Sequence, residues 1–232
     1  MKRFVVTGIG RSATNYTSKL LSSADIPTTW ETAFQVNKRN PRFTEGGDSS
    51  WLSAPFLADL PDGTVVLHQL RDPLRWLESW LRVTPRWPTR HRTFVVEHSR
   101  MFRWDRGRHP QDDMRIWVRW HKMIEDTVKE RGFPYLRFQV EELNLAKMQE
   151  IATLIEVPFK PAKAKKALEG VSKKTNTSKQ KGRRFKVPNQ PETVDEEAVP
   201  EIPLKWSDLP ACPELTAFKA LAVEYGYGVT DE

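Results

Sequence analysis

The chain has 232 residues and 38% apolar content, enough to bury one sizeable core and at most two small ones. Its formal charge is +7. No run approaches 18 uncharged apolar residues, and the apolar stretch behind Met1-Lys2-Arg3 is too short for a secretory signal, so a cytoplasmic chain without a membrane span is expected. A single cysteine, Cys212, and five scattered histidines exclude an internal disulfide and give no metal-ligand spacing.

In chain order, residues 3–7 (RFVVT) read as a strand and residues 14–24 as a helix. Residues 26–34 form a short extended segment. Residues 37–50 are polar and read as a loop, with GGDSS as the breaker. WLSAPFLADL reads as a helix stopped by Pro61, and PDGTVVLHQL as a turn into a buried strand. In DPLRWLESWLRV, Asp72 is a helix N-cap and Pro73 occupies the first helical position. Residues 84–110 read as irregular, very basic and rich in aromatics. QDDMRIWVRWHKMIEDTVKERG is a long amphipathic helix ending at Gly132, with Ile116, Trp117, Trp120, Met123, Ile124 and Val128 as its apolar stripe. YLRFQVEEL is a strand and LAKMQEIATLI a helix.

A basic loop follows. Residues 160–186 hold eleven Lys and Arg against one acid, Glu169, whereas residues 187–201 hold five acids and no base. The positive excess therefore belongs to one segment. Such a segment is a solvated tail, a nucleic-acid arm, or a cover that closes over a highly charged small ligand. Residues 187–213 are Pro-rich, and ELTAFKALAVEYGYGV is the closing helix. Strands alternating with helices predict a parallel sheet covered on both faces, a three-layer α/β fold forming a single domain over residues 1–232. Asn15 and Asn176 stand in glycosylation sequons, which chance explains in a cytoplasmic chain.

Chemistry concentrates first in residues 7–15, TGIGRSATN, between the first strand and the first helix. Backbone N–H groups of a glycine-containing turn converge at a helix N-terminus, which adds partial positive charge. Gly8 and Gly10 permit the turn. Ser12, Thr14 and Asn15 add hydroxyl and amide donors, and Arg11 adds a guanidinium suited to oxyanions. The lysine of a Walker loop is missing, and no aspartate is placed to hold magnesium, so the anion is handled without a metal. A second segment, VVLHQLRDPLRWLESW, puts Arg71 at a strand end and Ser79 eight positions later on the following helix. Arg71 there is placed to meet a second anionic group.

These segments resemble those of the sulfotransferase family that uses 3′-phosphoadenosine 5′-phosphosulfate (PAPS). Arg11-Ser12-Ala13-Thr14 is similar to its [K/R]-S-G-T loop, which binds the 5′-phosphosulfate. Arg71-Asp72-Pro73 with Ser79 matches its R-D-P-x5-S segment, which binds the 3′-phosphate. Residues 28–34 (TTWETAF) resemble the G-H-E-x-x-F segment of the bacterial and carbohydrate-type branch, with Glu31 at the acidic position. Residues 47–57 are similar to its S-W-L-A-x-P segment, IWVRWHKMIE to its Trp-bearing helix, and YLRFQVEEL to its strand before the E-D-L turn. EYGYGV resembles the terminal L-G-Y. KQKGRRF resembles the K-x-K-G-R loop of heparan-type sulfotransferases, which closes over the cofactor's 3′ end. The resemblance runs from about residue 4 to residue 229. Ala13 stands where the family has glycine, Asn15 where it has a hydroxyl residue, and Trp30 where it has histidine, so no histidine base is assigned.

The resemblance implies a P-loop-containing nucleotide hydrolase-like fold and sulfuryl transfer from PAPS to an acceptor hydroxyl, leaving adenosine 3′,5′-bisphosphate. Gly10, Arg11, Ser12, Ala13, Thr14 and Asn15 would hold the phosphosulfate. Arg71, Ser79, Lys181, Gly182 and Arg183 would hold the 3′-phosphate. Arg11 would stabilise the leaving oxygen and Glu31 would act as base; the structural alternative for Glu31 is a surface acid or a partner for Arg11 or a nearby lysine. Trp87, Phe94, Phe102 and Trp104 among the arginines of residues 84–110 suit stacking on a sugar, which favours a carbohydrate or glycolipid acceptor over a phenol or steroid; the same residues also suit covering the core. Two other readings stay open: a P-loop kinase of a nucleotide or small molecule, and a nucleic-acid-binding module using residues 160–186. The sequence is also consistent with this fold in an inactive form, given Ala13.

Overall fold

The computed structural model describes residues 1–40, 43, 46–101, 109–172 and 203–231, and of residues 38 and 39 the backbone alone. Its centre is a five-stranded parallel sheet in the order β2-β5-β1-β6-β7. The strands are β1 (Phe4–Thr7), β2 (Thr28–Trp30), β5 (Gly47–Ser49), β6 (Val65–Leu70) and β7 (Tyr135–Gln139). A small hairpin, β3 (Phe34–Gln35) with β4 (Lys38–Arg39), pairs Phe34 with Arg39 outside the main sheet.

Helices α1 (Thr14–Ser23), α5 (Leu145–Leu154) and α6 (Pro161–Gly170) cover one face. Helices α2 (Pro73–Val83), α3 (Thr89–His98), α4 (Pro110–Arg131) and α7 (Pro213–Glu224) cover the other. Side chains alternate along the strands as the pleat requires. Phe4 and Val6 of β1, with Val65 and Leu67 of β6, enter the first core; Val5, Val66 and Leu70 enter the second. The α/β architecture predicted from the alternating pattern is the one observed.

The connections from β1 and β6 leave over opposite faces, β1 through α1 and β6 through α2. The strand order thus reverses between them, and a crevice opens above their carboxyl ends. In open α/β sheets that is where ligands bind.

Four stretches differ from expectation. Residues 47–49, expected in a loop, form β5, inserted between β1 and β2. Residues 51–59, expected to be α-helical, form a 3-10 helix with Pro55 inside it, because proline cannot donate the α-helical bond. Residues 84–110, expected to be irregular, contain a 3-10 turn over Thr84–Arg86 and the helix α3, whose Phe94 and Val95 are buried. The basic segment begins with helix α6 rather than loop, while residues 173–202 lie outside the described residues. No helix among the described residues is long and apolar enough to cross a membrane.

Candidate active site

The turn from β1 into α1 passes so close to β6 that a Cβ on Gly8 would lie 2.4 Å from the Gln69 carbonyl oxygen. Only glycine fits there. The Ser12 N–H closes the turn on the Ile9 carbonyl at 3.1 Å. Four side chains from other elements then donate to loop carbonyls. Trp120 Nε1 meets Gly8 at 2.9 Å, Trp76 Nε1 meets Gly10 at 2.8 Å, Arg71 Nη1 meets Arg11 at 2.8 Å, and Gln69 Nε2 meets Ser12. In a trans peptide the next N–H points opposite to its carbonyl, so the N–H groups of Ile9, Arg11 and Ala13 face away from these donors. Helix α1 starts with no side-chain cap and no acid in its first turn. The Ser12 Oγ is buried and has no hydrogen-bond partner among the described residues. Together these features form a cradle for an oxyanion.

The backbone of this loop is strained. Arg11 has φ 72° and Ala13 φ 71°, the left-handed region, which costs an L-residue about 1–2 kcal/mol. Ala13 takes the conformation a glycine would, so the loop keeps its path at that cost.

Arg11 donates from Nε to Ser79 Oγ at 3.0 Å. Ser79, expected beside Arg71 in the 3′-phosphate group, is bonded to Arg11, and Arg71 holds the Arg11 carbonyl. Burial, then the charges of Arg71 and Arg82, lower the Arg11 guanidinium to about 10. Arg71 is lowered too, by burial first, although Glu141 and Asp72 stand close enough to oppose the shift. Half-buried cations that depress one another are relieved by a bound anion.

Glu31 follows β2 directly and has φ 50°. Its N–H bonds to the Ser49 carbonyl at 3.3 Å. Burial and then the negative charge of Asp48 push its carboxyl up to about 7, against the opposing effect of indole donors from Trp30 and Trp51. A carboxyl near neutrality is suited to taking up a proton.

Arg11 and Glu31, twenty residues apart, line one cavity of about 140 Å³ with Ala13, Thr14, Trp30, Trp51, Trp87 and His91. A neighbouring cavity of about 330 Å³ shares Trp30, Glu31 and His91 and adds Gln35, Asn37 and Arg90. Gly10, Ser12, Thr14 and Asn15 sit in the loop and first turn as expected. Lys181, Gly182 and Arg183 lie outside the described residues, as do Phe102 and Trp104. Of the aromatics expected to stack on an acceptor, Trp87 reaches the cavity, whereas Phe94 is 4% exposed and belongs to the core.

Asp48, Trp51 and His91 escaped the sequence reading. Asp48 lay in a segment read as loop, and His91 is an isolated histidine in a basic stretch. Trp51 stood in the segment similar to S-W-L-A-x-P, without a role of its own. His68, on β6, is buried and bonded to Tyr135 Oη at 2.7 Å and to His121 Nδ1 at 2.7 Å.

The chain superposes on mouse sulfotransferase SULT7A1 complexed with PAP with a TM-score of 0.50, covering 97% of this chain and 84% of that one at 11% identity. The fold is the sulfotransferase fold. A sulfotransferase from Alicyclobacillus acidocaldarius matches over 68% of this chain and 82% of that one, at 13% identity and a TM-score of 0.38. No family model and no curated protein sequence matches the chain. What ties the chain to the sulfotransferase fold is therefore the arrangement of its elements and not its overall sequence.

Proposed function

We propose that this chain is a PAPS-dependent O-sulfotransferase acting on a hydroxyl of a carbohydrate or glycolipid. The observation that carries the reading is that Arg11 and Glu31 reach one cavity from the ends of two different strands. The residues present fit the donor. An uncapped helix start, the buried Ser12 hydroxyl without a partner among the described residues, and clustered arginines suit its anionic groups. PAPS would supply the activated sulfuryl group, with adenosine 3′,5′-bisphosphate as the leaving group.

Gly10 to Asn15 would bind the 5′ side, with Arg11 placed to stabilise charge on the departing oxygen. Arg71, with Lys181, Gly182 and Arg183 on the resemblance alone, would read the 3′-phosphate. Ser79 would act through Arg11, whose guanidinium it fixes. Glu31 would accept the proton of the attacking hydroxyl, and Trp51 and Trp87 would keep water from it. Trp30 is 43% exposed at the mouth of both cavities, a ring suited to stacking on a sugar. The amides of Gln35 and Asn37 add hydrogen-bonding capacity beside it.

The test pairs transfer of labelled sulfate from PAPS to a pool of saccharide and phenolic acceptors with thermal shifts. Adenosine 3′,5′-bisphosphate at a hundredfold excess over Kd should stabilise the fold by about 2.7 kcal/mol, and ATP or AMP by much less. Equal stabilisation by all three counts against the 3′-phosphate clamp. Activity lost completely in EDTA would favour a kinase.

A further inference from the structure

Asp48 is fully buried at the centre of β5, at 0% exposure. Its Oδ1 accepts from the Thr29 hydroxyl at 2.6 Å and from the Thr32 N–H at 3.0 Å. These two donors bracket Glu31 in the chain. The next residue of β5, Ser49, takes the Glu31 N–H on its carbonyl. The left-handed backbone at Glu31 is therefore pinned from both sides and in the middle by two consecutive residues of one strand. The other Asp48 oxygen, Oδ2, is buried with no partner among the described residues. A half-satisfied carboxylate costs stability, so packing alone does not account for it.

We propose that Asp48 is a positioning residue for Glu31: its carboxylate locks the turn that carries this acid and sets its negative charge behind it. This rests on the reading of Glu31 as the base. The charge matters because a like charge disfavours ionisation of its neighbour, and Asp48 is the charged neighbour that raises Glu31. The other charged and titratable groups around the two cavities are Arg11 from the β1 loop and Arg90 and His91 from α3. A plain carboxylate at neutral pH is a weak proton acceptor. One held near 7 takes a proton far more readily and is still about half ionised there. The buried charge at Asp48 thus makes Glu31 more basic, at a further cost to the stability of the fold.

Asp48→Asn keeps an acceptor for Thr29 and Thr32 and removes the charge. The Glu31 carboxyl, followed by carbon-13 NMR titration with Glu31→Gln as the assignment control, should then titrate about one pH unit lower than in the parent protein. The acid limb of kcat/KM for sulfate transfer should move down with it, and bisphosphate binding should be unchanged. Asp48→Ser, with a smaller uncharged side chain that avoids burying an amide NH2, serves if the asparagine variant does not fold. It should give the same downward movement, with turnover reduced at every pH because the turn loosens. An unmoved Glu31 titration in a folded variant overturns the proposal. If the titration moves but Glu31→Gln keeps native turnover, Asp48 tunes Glu31 as proposed and the assignment of Glu31 as base is what fails.

Discussion

The two faces of the sheet are built from different materials. The face covered by α1, α5 and α6 is mainly aliphatic, with Leu20, Leu21, Ile26, Val65, Leu67 and Ile151 around Phe4, Tyr16 and Phe138, and contains no tryptophan among the described residues. The opposite face holds Trp51, Trp76, Trp80, Trp117, Trp120 and Trp206. Aliphatic packing is non-directional and buries area without aiming anything. An indole buries more and also carries a donor that can be aimed at an acceptor. Here Trp76 and Trp120 spend that donor on the Gly10 and Gly8 carbonyls, and Trp80 on Asp113 at 2.8 Å. The aromatic face therefore shapes the anion cradle, while the aliphatic face holds the sheet.

The contrast is sharpest at the site itself. Glu31→Gln preserves shape and should lower kcat by roughly 10²–10⁴ while leaving bisphosphate binding nearly intact; native turnover would place the base elsewhere. On the aliphatic face, Ile151→Ala should cost about 2–5 kcal/mol in denaturant unfolding, with no change in bisphosphate affinity of the folded protein. If affinity fell as well, the two faces would not be separable. On the aromatic face, Trp76→Phe removes the indole donor from the Gly10 carbonyl and leaves a small cavity behind it. It should cost about 1–3 kcal/mol and weaken bisphosphate binding about tenfold by calorimetry, the equivalent of 1.4 kcal/mol. Unchanged binding would show that the loop holds its shape without the indole.

The final expectation is nil at neutral pH and grows on acidification. Burial holds the His68 and His121 imidazoles well below their ordinary 6.5, His121 down to about 3. The unfolded chain binds protons there that the fold refuses. The stability these groups contribute is complete above about pH 6.5 and is lost progressively as pH falls below it. Chemical denaturation should give a lower unfolding free energy at pH 5 than at pH 7.5, and His121→Leu should flatten that dependence.

Long periodic elements were legible. The stripe of α4 and the strand–helix pattern at β1, β6 and β7 follow from apolar spacing, and Asp72 caps α2 by accepting from the Arg75 N–H at 2.8 Å. Glu31 and Arg11 were legible as neighbours because parallel strands end on one edge. Strand β5 was not. Gly-Asp-Ser has no apolar residue, and its place in the sheet depends on partners far away in sequence. A Cβ on Gly47 would lie 2.1 Å from the Phe4 ring, so glycine there makes room for a neighbouring strand and is not a turn signal. Asp48 stayed hidden for the same reason, since a charged residue in a strand reads as loop until its donors are seen. Helix α3 was masked by its arginines, and only its burial of Phe94 and Val95 marks its inner side.

The insertion of β5 also dictates an order of assembly. Among the described residues, β1 pairs in the main sheet only with β5 and β6, and β2 only with β5. The first 46 residues therefore contain two strands that have nothing in the sheet to pair with, including the strand that ends in the anion loop. A chain emerging from the ribosome cannot start this sheet from β1 and β2 alone. It must hold β1 and β2 unpaired until residues 47–49 arrive to join them, and those three residues bring a carboxylate into the centre as they do so. Non-local parallel pairing of this kind folds slowly and leaves strand edges open in the meantime. The segment that carries the proposed chemistry is then also the one that a nascent chain leaves exposed while it waits.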